Sequence, residues 1–101
     1  MAEYLLTPKA VDDLNEIWHY TVEKWSEEQA DRYYGLLLDL FEKLVEEPDL
    51  GRRYDIVQPG LLGMKAGRHV IFYRQVRPGS IEIIRILHEE MDLENRLKDP
   101  K

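Results

Sequence analysis

The last third of the chain constrains the fold most strongly. Residues 69–76 and 81–87 are rich in β-branched and aromatic side chains, and Arg77-Pro78-Gly79-Ser80 between them is typical of a tight turn. These residues therefore predict two neighbouring antiparallel strands. A further strand is predicted over residues 61–65, and Ala66-Gly67 predicts the turn that joins it to the next strand.

Signals for two helices and one short strand precede this region. Thr7 can cap a first helix, and Pro8 suits its first position because the missing amide would be unpaired there anyway. Ser26-Glu27-Glu28-Gln29 is a capping box, which predicts that a second helix begins at this point. Pro48 ends that helix. Residues 3–6 predict a short strand ahead of the helical pair.

Apolar residues recur at spacings of three and four along both helices. Trp18 and Trp25 lie on the stripe of the first helix and are predicted to anchor the core. The stripe of the second helix extends from Ala30 to Val45. These patterns predict a helical hairpin packed on a sheet, and hence one α+β domain over residues 1–101.

Alternation along the last two strands predicts which side chains share a face of the sheet. One set comprises Val70, Phe72, Arg74, Val76, Ile81, Ile83, Arg85 and Leu87, and the other His69, Ile71, Tyr73, Gln75, Glu82, Ile84, Ile86 and His88. Both sets are at least half apolar, but the helical hairpin can cover only one face. We therefore expect an open apolar face that a segment of a partner protein completes.

The net charge of −6 is distributed unevenly along the chain. Residues 1–50 carry 4 basic and 13 acidic side chains, whereas residues 51–88 carry 7 basic and 2 acidic ones. Nucleic-acid binding depends largely on neutralising phosphates, which the acidic helical half opposes. The charge distribution argues against direct nucleic-acid binding and favours an acidic protein segment bound to the strand region.

Composition excludes several other classes of protein. The chain has no cysteine, and its 3 histidines lack the spacing of metal ligands, so no disulfide, metal site or cofactor is expected. Its first residues lack the basic region and apolar run of a signal peptide. No apolar stretch approaches the roughly 20 residues of a membrane-spanning helix. These features predict a cytoplasmic protein with no membrane contact.

Several short motifs follow one another in a characteristic order. They are a Pro-initiated helix with a tryptophan, then Glu28-Gln29-Ala30-Asp31-Arg32-Tyr33, Pro48, Leu50-Gly51-Arg52, Gly67-Arg68-His69-Val70-Ile71-Phe72-Tyr73-Arg74, Ile84-Arg85-Ile86-Leu87-His88 and Met91-Asp92. Each motif is unspecific by itself. As an ordered set over nearly the whole chain, they resemble the ParE branch of the ParE/RelE toxin family.

The resemblance implies a fold and a role. The implied fold is α+β, an antiparallel sheet packed on an N-terminal helical hairpin in the order β-α-α-β-β-β with a short C-terminal helix. The implied role is the toxin of a type II toxin–antitoxin system, neutralised by a ParD-like antitoxin and acting by binding DNA gyrase rather than as an enzyme. The candidate partner-binding residues are Arg68, Arg74, Arg85, His88, Met91 and Leu93.

The related RelE branch cleaves messenger RNA on the ribosome, which is an alternative function. RNA cleavage requires a general base, a general acid and clustered cations. His88 could transfer a proton and Arg68 or Arg85 could bind phosphate, but the first strand of the meander offers only Lys65. The segment after the last strand begins with Glu89-Glu90, acidic where that branch carries positive charge.

Structural roles compete with these functional ones. Arg85 and Arg74 could form ion pairs, Arg85 with Glu82, Asp92 or a carboxylate of the hairpin. His88 could be a hydrogen-bonded structural residue, and Arg68 a solvated one. A third interpretation is a module of the same fold that has lost toxicity and only binds its partner.

Overall fold

The computed structural model describes residues 3–89 and residue 97. The elements are β1 (Glu3–Leu6), α1 (Pro8–Lys24), α2 (Glu27–Glu46), a 3-10 turn (Pro48–Leu50), β2 (Arg52–Arg53), β3 (Leu62–Ala66), β4 (His69–Arg77) and β5 (Ser80–His88). Pro48 and Pro59, with the Gly-containing ends of residues 49–60, predict a loop; the 3-10 turn begins one residue before that segment, and β2 lies within it. The predicted short C-terminal helix lies outside the described residues, apart from Leu97, which is helical.

Both helix starts are confirmed by their capping hydrogen bonds. Thr7 Oγ1 accepts a hydrogen bond from the amide of Ala10 at 3.1 Å. Ser26 Oγ accepts one from the amide of Gln29, also at 3.1 Å. Each cap satisfies one of the amides that a helix leaves unpaired in its first turn. The two helices form the predicted hairpin on one side of the sheet.

The sheet has five strands in the order β1-β5-β4-β3-β2. The pairings among β2, β3, β4 and β5 are antiparallel, whereas β1 runs parallel to β5. The prediction of an antiparallel sheet is therefore wrong for this one pairing, and the sheet is mixed. The helical hairpin and the β3–β4 pair lie between β1 and β5 in the sequence, and this connection is long enough for a parallel crossover. The α+β class is confirmed.

A β-bulge in β5 overturns the predicted division of side chains between the two faces. Phe72 pairs with Arg85 and Tyr73 pairs with Ile83, so Ile84 is an extra residue on β5. The extra residue shifts the alternation by one position. The helical face consequently holds Ile71, Tyr73, Ile81, Ile83 and Ile86, and the opposite face holds Val70, Phe72, Ile84 and Leu87.

The start of α1 binds the bulged backbone directly. The Thr7 amide donates to the carbonyl of Ile83 at 3.0 Å, and the Thr7 hydroxyl donates to the carbonyl of Ile84 at 2.8 Å. These carbonyls therefore have partners on a helix far away in the sequence. Strict alternation cannot reveal such a bulge, because its cause is a tertiary contact.

The sheet face opposite the helices is largely closed by the chain itself. Leu61, Val70, Phe72 and Leu87 form a buried cluster there, against which Tyr54, Val57, Ile84 and Leu97 pack. The expectation that a partner must complete this face is therefore wrong for the clustered residues. A loop after β2 and Leu97 supply cover that two helices alone could not.

The Tyr73 hydroxyl joins the sheet to the chain beyond α2. The hydroxyl donates to the carbonyl of Pro48 and accepts from the amide of Gly51, both at 2.8 Å. The ring is fully buried among the residues of the helical face. The same side chain therefore fills the core and satisfies two backbone groups of a turn.

We expect Tyr73→Phe to lower the free energy of unfolding by about 1–3 kcal/mol, because the carbonyl and the amide lose their shared partner. Urea denaturation monitored by circular dichroism measures this loss. Tyr20→Phe is the matched control, since the Tyr20 side chain is exposed and its hydroxyl can bond to water. Equal stability of the two variants would contradict the assigned role.

Candidate functional site

A groove of about 1170 Å³ lies between the helical hairpin and one end of the sheet. One wall is the second half of α1 and the other is the first half of α2. The floor consists of the β3–β4 turn and the last residues of β5. The groove is open to solvent, and it lies on the helical side of the sheet rather than on the face that was expected to be open.

Large apolar side chains lie exposed along this groove. Tyr20 and Trp25 are 60% and 68% exposed, and Leu36 on α2 is 44% exposed. Trp25 was predicted to anchor the core, but it follows the last residue of α1, where the chain turns into α2. Three exposed apolar side chains around one groove form a surface that gains from contact with a partner.

An ion pair closes one side of the groove floor. The Asp13 carboxylate accepts from the Arg85 guanidinium at 2.8 and 3.0 Å and from the amide of Ile86 at 3.0 Å. The side chains are only 10% and 15% exposed, for Asp13 and Arg85 respectively. The structural alternative for Arg85, an ion pair with the helical hairpin, is confirmed, so its charge is balanced from within the chain.

A tyrosine and two histidines form the deeper part of the groove. The Tyr33 hydroxyl donates to the carbonyl of Ala66 at 2.8 Å, and it accepts from the amide of Arg68 at 3.3 Å. His69 Nδ1 lies 2.8 Å from the same oxygen. The hydroxyl's single proton is used on Ala66, so His69 must donate, and its proton lies on Nδ1.

The second histidine, His88, lies across the strands from His69. The two residues are paired in the β4–β5 ladder, and their ring centroids are 5.3 Å apart. Burial, followed by the charge of His88, lowers the pKa of His69 from 6.5 to about 4. The His69 ring is therefore neutral at physiological pH, with Nε2 as its only acceptor.

The candidate partner-binding residues are divided between the groove and other places. Arg68, Arg85 and His88 line the groove, and the Arg68 side chain is exposed. Arg74 lies outside it and pairs with Glu82 at 3.0 Å. Met91 and Leu93 lie outside the described residues.

The sequence patterns did not single out Tyr20 or Leu36, and they placed Tyr33 only on the apolar stripe of the second helix. The available signal was the width of the α2 stripe, since Tyr33, Tyr34, Leu36 and Leu37 cannot all face one sheet.

The groove carries a mild positive charge in an acidic chain. Its lining contains Lys24, Arg32, Arg68 and Arg85 against Asp13 and Glu16. Arg85 is balanced by Asp13, and Arg32 forms an exposed pair with Glu28 at 3.2 Å. Such exposed pairs are weak and can exchange for a partner's carboxylate.

Several polar groups in and near the groove have partners within the chain. All three hydrogen-bonding positions of the Tyr33 hydroxyl are already used within the chain. Lys65 on β3 pairs with Glu89 at 3.3 Å. Within the described residues, no group of three His, Cys, Asp or Glu side chains could hold a metal ion. No helix in residues 3–89 has the length and apolarity to cross a membrane.

These features define a small α+β protein with an open amphipathic groove. Comparison with known proteins then identifies the family. A model described as the ParE toxin of type II toxin–antitoxin systems, parDE, matches residues 4–93, and the chain belongs to this family. The resemblance recognised in the sequence is thereby confirmed.

The sequences of individual relatives align with this chain over nearly their whole length. The chain is 36% identical to Toxin ParE1 of Mycobacterium tuberculosis, over 95% of this chain and 98% of the relative. It is 38% identical to Toxin ParE1 of Caulobacter vibrioides, over 91% and 94%. A solved structure described as a chromosomal ParDE system of P. aeruginosa matches with a TM-score of 0.74 at 24% identity, over 89% of this chain and 98% of that one.

We expect His69 to stay neutral until the pH approaches 4, with its proton on Nδ1. The folded state binds the second ring proton, the one that charges the imidazole, less tightly than the unfolded chain does. The resulting stability is therefore fully present above the unfolded pKa of about 6.5 and is lost as the pH falls towards 4. Long-range ¹H–¹⁵N NMR of the ring nitrogens measures the pKa of His69 and shows which nitrogen carries the proton of the neutral ring, with His19 as the internal comparison. Protonation of His69 near 6.5, or a proton on Nε2, would contradict the arrangement.

Proposed function

We propose that this toxin is held inactive by a ParD-type antitoxin whose amphipathic segment occupies the groove. The observation that carries the proposal is the exposure of Tyr20, Trp25 and Leu36 around a groove whose floor is held by hydrogen bonds within the chain. A parDE family model and a ParDE structural neighbour support this kind of partner. The proposal treats residues 1–101 as one domain that acts in the cytoplasm.

The chemistry of the groove defines what the antitoxin segment should look like. Its apolar side should cover the two aromatic side chains, because tryptophan and tyrosine often supply much of the binding energy at protein interfaces. Its polar side should carry carboxylates to meet Lys24, Arg32 and Arg68. Opposite charges of this kind accelerate association and select the partner, while apolar contacts slow dissociation.

The toxic action is proposed to be inhibition of DNA gyrase by protein–protein binding, without catalysis by this chain. The composition of β3 supports a non-catalytic mechanism, since Lys65 is the single lysine that this strand offers to a phosphate. The histidine pair is the one observation that favours the ribonuclease alternative. In that alternative, His88 would be the proton-transfer group.

We expect Trp25→Ala to weaken antitoxin binding by at least about tenfold while the stability of the toxin is unchanged, because Trp25 lies on the surface. Isothermal titration calorimetry with a ParD-type antitoxin from the same organism measures the affinity. Leu5→Ala is the matched control, since Leu5 is 61% exposed and does not line the groove. If both variants bind like the wild type, the groove is not the antitoxin site.

We expect the purified chain to inhibit gyrase supercoiling at micromolar concentration, and the antitoxin to reverse this inhibition. Transcripts separate the mechanisms: a toxin that acts by binding leaves them intact, whereas a ribonuclease cleaves them and loses this cleavage in His88→Ala. Growth after induced expression without antitoxin is the accompanying measurement. Unhindered growth would contradict toxicity and support the module that only binds its partner.

A further inference from the structure

The loop that joins β2 to β3 has a well-defined internal structure. This loop, residues 54–61, is called the Ile56 loop below. The amide of Tyr54 donates to the carbonyl of Leu61 at 2.8 Å, which closes the base of the loop. The amide of Val57 donates to the carbonyl of Tyr54 at 3.0 Å, and Leu61 donates to Gln58 at the same distance. Compact loops with joined ends are frequently functional.

The carboxylate of Asp55 holds the loop from within. Asp55 Oδ1 accepts from the amide of Gly60 at 3.0 Å, and Oδ2 accepts from Arg53 Nε at 2.8 Å. The hydrogen bond from Arg53, followed by that from Gly60, lowers the pKa of Asp55. On the inner side, Tyr54 and Leu61 pack against the sheet. The loop is thus fixed by contacts on both its polar and its apolar sides.

One large apolar side chain of the Ile56 loop is exposed to solvent. Ile56 is 95% exposed, the highest value among the exposed large apolar residues, although Val57 beside it packs inward. Nothing in the described part of the chain covers it. Because hydrogen bonds within the loop already connect its backbone, a partner that binds Ile56 meets a loop with internal contacts of its own.

Arginines flank the exposed isoleucine. The Arg52 guanidinium lies 5.9 Å from the centroid of the Tyr54 ring, which holds it beside the loop. Arg53 is paired with Asp55, so the carboxylate is balanced and the Arg52 charge remains. Leu50, 41% exposed, lies just before them in the sequence. An apolar pocket bordered by carboxylates is the complementary surface.

The Ile56 loop and the groove lie in different parts of the molecule. The loop enters β3 at Leu62, whereas the groove is lined by Gly67, beyond the other end of that strand. The loop also packs on the sheet face opposite the helices. No residue of the loop lines the groove, so a segment that fills the groove leaves Ile56 available.

We propose that the Ile56 loop is a second protein-docking surface, in which Ile56 inserts into an apolar pocket bordered by carboxylates on the toxin's cellular target. This inference rests on the proposed function, in which the groove belongs to the antitoxin and the target is gyrase. The two surfaces then have different partners: the groove binds the antitoxin, and the loop contacts the target that the toxin inhibits.

The experiment compares Ile56→Ser and Ile56→Asp with the wild type in three measurements on the full chain. These are inhibition of purified gyrase, growth arrest after induced expression, and affinity for the ParD-type antitoxin. We expect each variant to need at least about tenfold more protein for inhibition, with Asp worse than Ser because it also repels carboxylates. Antitoxin affinity should stay within about twofold, since the groove is unchanged.

Matched variants show whether the effect belongs to this position. Leu5→Ser removes another exposed apolar side chain, which lies on β1, and should behave like the wild type. Ile56→Leu keeps the apolar volume and should retain most of the activity. Thermal unfolding of every variant excludes loss of folding as the cause.

Each outcome decides between the alternatives. Undiminished inhibition and growth arrest by folded Ile56→Asp would overturn the inference while the proposed function stands. A fall in antitoxin affinity instead would assign the loop to the antitoxin and overturn it as well. A wild-type chain that neither arrests growth nor inhibits gyrase would overturn the proposed function, and the target contact with it.

Discussion

The contact between the Asp13 carboxylate and β5 determines the relation of the helices to the sheet. One carboxylate accepts two hydrogen bonds from Arg85 and one from the amide of Ile86. Removing two charges from water is costly, and a buried pair repays this only when its remaining hydrogen-bonding groups are satisfied. Among the described residues, no buried side-chain nitrogen or oxygen lacks a partner. The pair holds α1 beside β5 and so forms one side of the groove.

The bulge at Ile84 lies beside that contact and shifts the alternation of β5 by one residue. Next to it, the Ile83 and Ile84 carbonyls accept hydrogen bonds from Thr7 at the start of α1. The same shift directs Leu87 to the other face, where it joins the buried cluster under the Ile56 loop. One extra residue in β5 therefore affects both faces of the sheet. The same stretch of backbone contacts the start of α1 and places Leu87 in the cluster under the Ile56 loop.

Local signals in the sequence predicted the helices and strands, whereas tertiary contacts determine which side chains line the groove. The Thr7 and Ser26 caps could be predicted because each involves residues only three positions apart. The bulge could not, because its partner Thr7 lies at the other end of the chain. Trp25 is exposed and lies after the last residue of α1, where the chain turns into α2, and helical periodicity does not encode this position. The ordered motifs identified the family, but they pointed to β5 and the tail rather than to the helix side chains around the groove.

Gly67 gives the groove a geometric limit. Its φ angle of +59° is one that only glycine adopts without strain, and a Cβ atom there would lie 2.7 Å from the Tyr33 ring. Any larger residue at position 67 would therefore strain the backbone and would also clash with the aromatic ring of Tyr33. The aperture between α2 and the β3–β4 turn is thus determined by a missing methyl group, so any segment that enters the groove meets a mouth of the same width.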